Sequence, residues 1–308
     1  MRQSAEAAVV CLLGPTASGK TEVALTLAAS GPFDIVSVDS AMVYRGLDIG
    51  TAKPDSKTLA DFPHALVDVC DPRERFSVAD FVAAANQAIA NSHAGGRVPL
   101  LVGGTMLYFK RLFDGLAALP AADLSVRAQI DAEAAEHGWP TLHASLASVD
   151  PTAAKRIAPG DAQRIQRALE VFRLTGLPIS ELQRRATPAA AQNFVKIALL
   201  SEDRETIHQR IAARFEHMLA VGFEQEVADL LAQPGIHAGL ASMRSVGYRQ
   251  MAAYLAGDSS REQAVADAKT ATRRLAKRQH TWLRGMHGLQ IVDPLQTGVA
   301  ERVSALLR

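Results

Sequence analysis

The run Gly14-Pro15-Thr16-Ala17-Ser18-Gly19-Lys20-Thr21 constrains this chain more than any other stretch, because it fits Gly-x-x-x-x-Gly-Lys-[Ser/Thr] in a strand-to-helix setting. Val9 to Leu13 before it reads as a buried strand, and Glu22 to Ala29 after it reads as a helix. At such a turn, backbone N–H groups and the positive end of the helix dipole converge on an anion. Lys20 adds a point charge, and the Thr21 hydroxyl is placed to hold a magnesium ion. The loop therefore predicts a bound diphosphate.

Further strand candidates are Ile35 to Val38, Leu66 to Val69 and Pro99 to Val102, separated by helical patterns such as Val78 to Ala90. Phe194 to Leu200 and Leu289 to Val292 offer two more. Strands alternating with helices predict an α/β fold in which a parallel sheet carrying the phosphate loop is flanked by helices. From Leu119 to Ala190 the composition turns helical, with Ala- and Arg-rich stretches bounded by Pro120 and Pro188. The expected organisation is thus a core of residues 1–118 and 191–308, interrupted by a helical insertion at 119–190. Leu47 to Ser56 and Gln233 to Gly239 gather Pro, Gly and polar residues and read as loops, too short to be domain linkers.

With 308 residues, 48% of them apolar and 21% charged, the chain is long enough to bury a large core. Its two cysteines, Cys11 and Cys70, lie in apolar strand-like runs, which indicates packing and neither a disulfide framework nor a metal site. The N-terminal apolar run leads straight into the phosphate loop, and no apolar stretch approaches membrane-spanning length. A cytoplasmic protein with no membrane partner is expected.

Net charge is only +1, yet Lys269, Arg273, Arg274, Lys277, Arg278 and Arg284 fall within Ala268 to Arg284 without an acidic residue among them. At helical spacing Lys269, Arg273, Lys277, His280 and Arg284 form one stripe, while Ala271, Leu275 and Trp282 fall on another side. Such a stripe is either a solvated face or a surface for an anionic polymer.

In an open parallel sheet, ligands sit beyond the carboxyl ends of the strands. Asp39-Ser40 and Gly103-Gly104-Thr105 follow two of them, and Asp71 follows a third as a weaker candidate. Asp39 fits an Asx turn, a helix cap or a group supporting magnesium, and equally a catalytic carboxylate. Gly103-Gly104 fits a tight turn or a place where a ligand approaches closely. A GTPase would carry Asn-Lys-x-Asp; the nearest run, Ala52-Lys53-Pro54-Asp55, lacks the Asn and lies too early. The fourth strand ends in Val102-Gly103-Gly104 where many ATPases have an Asp. These absences weaken hydrolysis but leave a small-molecule kinase using ATP, or a non-catalytic RNA-binding protein, as alternatives.

One family matches these residues closely. Gly14 to Thr21, Val38-Asp39-Ser40-Ala41-Met42-Val43-Tyr44 and Asp48-Ile49-Gly50-Thr51-Ala52-Lys53-Pro54 resemble the tRNA dimethylallyltransferases. So do Leu101-Val102-Gly103-Gly104-Thr105-Met106-Leu107-Tyr108, Asp161-Ala162-Gln163-Arg164, Ser245-Val246-Gly247-Tyr248-Arg249-Gln250 and Thr272-Arg273-Arg274-Leu275-Ala276-Lys277-Arg278-Gln279. The resemblance runs from about residue 10 to residue 285 and, with the C-terminal zinc finger of eukaryotic relatives missing, points to a bacterial form.

It implies transfer of a dimethylallyl group from dimethylallyl diphosphate to the exocyclic N6 amine of the adenosine just 3′ of the tRNA anticodon, releasing diphosphate. Gly14, Pro15, Thr16, Ala17, Ser18, Gly19, Lys20 and Thr21 would then hold the diphosphate, with Mg2+ at Thr21, and Asp39 would accept the amine's proton. By the same resemblance Thr105 positions the amine or the diphosphate, and Arg127 reaches the diphosphate from the insertion. Contacts to the tRNA anticodon stem-loop are expected from Asp39, Ser40, Ala41, Met42, Thr105 and Arg127. More come from Gln163, Arg164, Ile165, Gln166 and Arg167, and from Arg244, Ser245, Val246, Gly247, Tyr248 and Arg249. Lys277, Arg278, Gln279, His280, Thr281, Trp282, Leu283 and Arg284 complete the set. Tyr248 and Trp282 are candidates to stack on bases, with core packing as the other use of Trp282. A monomer is expected.

Overall fold

The computed structural model describes residues 8–185 and 192–307. These divide into two compact units, one taking the residues within Met1–Arg111 and Ala191–Arg308, the other those within Leu112–Ala190. The insertion's expected C-terminal end at 190, marked by Pro188, lies outside the described residues.

The first unit is built on a six-stranded sheet in the order β3-β2-β4-β1-β5-β6, with every pairing parallel. The strands are β1 (Val9–Leu13), β2 (Phe33–Val38), β3 (His64–Ala65), β4 (Val98–Gly103), β5 (Phe194–Leu199) and β6 (Leu289–Val292). Each residue of β1 is buried, as a strand covered on both faces must be, and its apolar run supplies only side chains that tolerate this. Cys11 sits there as a free, buried thiol. Because β1 lies between β4 and β5, the chain leaves it in both directions, and the loop at its carboxyl end falls at the switch point where such sheets bind ligands.

One expected strand is corrected. Leu66 to Val69 does not extend along the sheet: the strand stops after His64–Ala65, because Leu66 (φ 65°) and Asp68 (φ 57°) take left-handed conformations incompatible with a continuous strand. The segment turns instead to residues 42–45, through Asp68 N–H to Met42 O and Cys70 N–H to Val43 O.

A second core in this unit lies among helices Arg204–Ala220, Phe223–Leu231, Tyr248–Leu255 and Arg261–Arg284, with Val43, Tyr44 and Leu47 packed into it. Phe223 stands edge-on between Phe215 and Tyr248, with centroids 6.0 and 5.1 Å away. Full burial of a side chain of this size stabilises by about 2–3 kcal/mol. The basic helix Arg261–Arg284 starts at a Ser260 cap and buries Ala264, Ala268, Ala276, Gln279 and Leu283. The side carrying Ala271, Leu275 and Trp282 is not the buried one: Ala271 and Leu275 are half-buried, and Trp282 is 42% exposed, so the core-packing alternative for Trp282 does not hold.

The second unit is helical, with its longer helices at Leu124–His137, Trp139–Val149 and Ala162–Thr175. Asp123, Asp150 and Asp161 cap helix starts, each accepting a backbone N–H three residues on. Ile130, Leu142, Leu146, Ile165, Leu169 and Val171 form its core.

Candidate active site

The phosphate loop takes the shape its sequence predicts. Ala17 (φ 64°) and Gly19 (φ 81°) are both left-handed, the alternation that curls successive N–H groups around an anion. Ala17 bears a Cβ in that conformation and so stores strain at this turn. Gly19 begins helix Lys20–Ser30 without a side-chain cap, which leaves the first-turn N–H groups for an external acceptor. Thr21, in that first turn, is exposed.

Lys20 Nζ donates to Pro15 O at 2.7 Å and to Ser18 Oγ at 3.4 Å. Burial foremost, and the charge on Arg214 beside it, lower its ammonium from 10.5 to about 7 against the opposing charge of Asp39. Arg214, on helix Arg204–Ala220, is likewise lowered by burial and supported by Asp39, and it donates to Thr51 O at 3.3 Å. Two cations and one carboxylate thus share the end of the sheet. Nothing in the sequence singled out Arg214: it occupies an ordinary amphipathic helix, between the buried Ile211 and Phe215.

Asp39 follows β2, and its Oδ1 accepts the N–H groups of Ala41 at 2.8 Å and Met42 at 3.2 Å. It therefore makes the Asx-type turn that was one of its readings, and the same bonds hold the carboxylate rigid beside Lys20 and Arg214. Thr105 Oγ1 accepts Ser40 N–H at 3.1 Å, joining the ends of β2 and β4. Asp71 is taken up by Arg73, with Oδ1 and Oδ2 3.0 and 3.1 Å from its Nη1.

Gly103 and Gly104 stand where the protein itself packs too closely for a side chain. A Cβ on Gly103 would stand 2.1 Å from Val38 O, and one on Gly104 would stand 2.5 Å from Gln279 Nε2. The pair admits close packing of β4 against Val38 and of the following turn against Gln279.

The loop after β2 is anchored from two sides. Lys53 Nζ donates to Tyr44 O at 3.0 Å and pairs with Asp48 and Asp68. Glu226 accepts the N–H groups of Asp48, Ile49 and Gly50 at 3.1, 2.7 and 3.2 Å, and the Tyr248 hydroxyl at 2.5 Å. Burial and the neighbouring Glu226 push the Tyr248 hydroxyl far above its usual pKa, so it stays a donor. Tyr248 is fully buried, and this corrects its expected use as a stacking platform.

Among the residues expected at RNA, Ser40, Gln163, Arg164, Arg244, Arg249, Lys277, Arg278, Thr281, Trp282 and Arg284 are exposed. Ala41, Met42, Gln166, Ser245, Val246 and His280 are half-buried. Ile165, Gly247, Tyr248, Gln279 and Leu283 are buried, so their side chains offer no contact surface. Lys269 pairs with Glu216 and Arg284 with Glu202, and Arg273, Arg274, Lys277 and Arg278 are the other exposed cations of this basic run.

In the helical unit, Glu170 is wholly buried and binds Arg127 Nε at 2.8 Å and Arg167 Nη1 at 2.6 Å. Burial alone would raise this carboxyl, but the hydrogen bonds from Arg127 and Arg167 outweigh it and hold the pKa below the usual carboxylate range.

The fold and the loop define a phosphate-loop α/β protein, with that loop at the switch point of its sheet and a basic helix in the same unit. The family model described as IPP transferase matches residues 42–286, and that described as isopentenyl transferase matches residues 7–68. A tRNA dimethylallyltransferase of Burkholderia thailandensis is 55% identical over 97% of this chain and 94% of its own length. One from Alkalilimnicola ehrlichii is 52% identical over 100% and 98%. Among solved structures, a tRNA isopentenylpyrophosphate transferase of Bacillus halodurans superimposes with a TM-score of 0.70 at 34% identity, covering 98% of this chain and 97% of that one. A eukaryotic dimethylallyltransferase shares the fold with a TM-score of 0.81 at 24% identity, over 97% of this chain and 78% of that one. The chain belongs to the tRNA dimethylallyltransferase family.

Proposed function

We propose that this chain transfers a dimethylallyl group from dimethylallyl diphosphate to the N6 amine of the adenosine immediately 3′ of the tRNA anticodon. The observation that carries this reading is the convergence of Lys20, Arg214 and Asp39 at the phosphate loop. An allylic C–O bond breaks readily when the departing diphosphate is stabilised, and the electron pair leaves on oxygen. The loop N–H groups, Lys20 and Arg214 supply that stabilisation. As the new C–N bond forms, N6 becomes cationic and strongly acidic, so a carboxylate beside it can take its proton. Asp39 takes that role, and Thr105, bonded to Ser40, positions the amine or the diphosphate.

Mg2+ fits this donor set. An exposed threonine hydroxyl at a helix start, supplemented by diphosphate oxygens and water, is the kind of oxygen-rich, partly hydrated environment the ion takes. Thr21 would hold it, and bound there it would neutralise charge on the leaving diphosphate.

The anticodon stem-loop is the polymer partner, and its target base must be unstacked at a cost of a few kcal/mol. The exposed Arg273, Arg274, Lys277 and Arg278 are suited to its phosphates, which position RNA without reading its sequence. No helix among the described residues is long and apolar enough to cross a membrane. Replacing both Lys277 and Arg278 by Gln should weaken tRNA binding and reduce the slope of log affinity against log salt by about 1.5, measured by filter binding. An unchanged slope would return this helix to a merely solvated face.

The decisive test incubates the protein with unmodified tRNA, Mg2+ and either labelled dimethylallyl diphosphate or γ-labelled ATP. Label should enter tRNA from the prenyl donor. Label from ATP in a small product, with none in tRNA, would sink the proposal in favour of a kinase.

A further inference from the structure

Gln279 lies on the basic helix between the exposed Arg278 and the half-buried His280, yet its side chain is turned into the protein and is 9% exposed. Its Oε1 accepts the N–H of Thr16 at 2.9 Å, and its Nε2 donates to Gly104 O at 2.8 Å. The orientation of the carboxamide follows from its partners, since a backbone N–H requires the oxygen and a carbonyl requires the nitrogen. A buried amide is costly unless both ends are bonded, so this side chain is confined to one position.

The Thr16 N–H belongs to the same peptide unit as the Pro15 carbonyl. That carbonyl accepts Lys20 Nζ at 2.7 Å and Ser18 N–H at 3.3 Å. In a planar trans peptide the N–H and C=O point in opposite directions, so fixing one fixes the other. Gln279 holds the N–H end; the C=O end then faces the lysine. Space for the carboxamide is reserved by Gly104, where a Cβ would come within 2.5 Å of Nε2 and 3.1 Å of Gly14 O.

We propose that Gln279 is a positioning residue of the phosphate loop: through the Pro15–Thr16 peptide it sets where Lys20 stands, and so ties the basic helix to the diphosphate site. It acts on diphosphate and makes no contact with RNA, in contrast to what the family resemblance implies for this position. The proposal rests on the loop being a diphosphate site.

The test uses the full chain and inorganic diphosphate with Mg2+, titrated by calorimetry, so it requires no prenyl transfer. Gln279→Met keeps the volume and removes both hydrogen bonds. It should raise the Kd for diphosphate about tenfold or more, while the Kd for an anticodon stem-loop stays within about twofold. Gly104→Ala, which displaces the carboxamide, should raise the diphosphate Kd likewise, and the double variant should be no worse than the weaker binder of the two. Val265→Ala, on the same helix but packed in the helical core, controls for destabilisation and should leave the diphosphate Kd unchanged. An unaltered diphosphate Kd in Gln279→Met overturns the proposal. So does a parallel loss of stem-loop affinity, or an equal effect from Val265→Ala. Wild-type protein that binds no diphosphate overturns the reading of the loop, and this proposal with it.

Discussion

Replacing Asp39 by asparagine should lower kcat for prenyl transfer by about 100- to 10,000-fold, the range typical for loss of a general base. Asparagine is the informative substitution because the Asp39 side chain has two tasks. Its Oδ1 accepts the Ala41 and Met42 N–H groups, and an amide oxygen can continue to do so. What the amide cannot do is take a proton from the alkylated N6. The turn and the backbone beyond it should therefore persist, and affinity for the anticodon stem-loop should stay within about twofold of wild type. Alanine would remove turn and base together and could not separate them. Single-turnover kinetics with labelled dimethylallyl diphosphate, beside filter binding of the RNA, makes the distinction. A near-normal rate in Asp39→Asn would leave Asp39 as a turn residue only.

The parts of the fold that were legible are those in which one local pattern decides. The loop between Gly14 and Thr21 and the apolar run of β1 could be read because glycine positions and continuous burial leave a direct trace in the sequence. β6 was legible for a similar reason, as a short apolar run at Leu289–Val292. The region after β3 was not, because Leu66 and Asp68 look strand-compatible until their left-handed backbone, set by hydrogen bonds to residues 42–45, is seen. On the basic helix, charge spacing gave the outer stripe, but the inner face depends on a glutamine. A polar residue at helical spacing reads as exposed unless its partners, 263 and 175 residues away, are known. Arg214 and Glu226 escaped notice for the same reason: each bonds backbone of the loop after β2 from more than 160 residues away, and neither belongs to a local motif.

Lys20 provides the second large effect, and its pH dependence has a definite sign. In the protein without ligand, burial and Arg214 bring the ammonium down to about 7, against the support of Asp39. A diphosphate against Nζ favours the charged form and raises that value. Between the free and the bound pKa, binding must therefore take up a proton, so affinity falls as pH rises above about 7, by up to tenfold per unit. Lys20→Met removes both the charge and its titration, and kcat/KM should drop about 100- to 1,000-fold, as for loss of one preorganised donor to a developing anion. Calorimetry in buffers of different ionisation enthalpy reads the proton directly. Uptake in wild type should exceed that in Lys20→Met by nearly one proton at about pH 8.5 and by almost none at about pH 6, the ligand's own titration cancelling in the difference. Equal uptake by the two proteins at the higher pH would remove Lys20 from the diphosphate site.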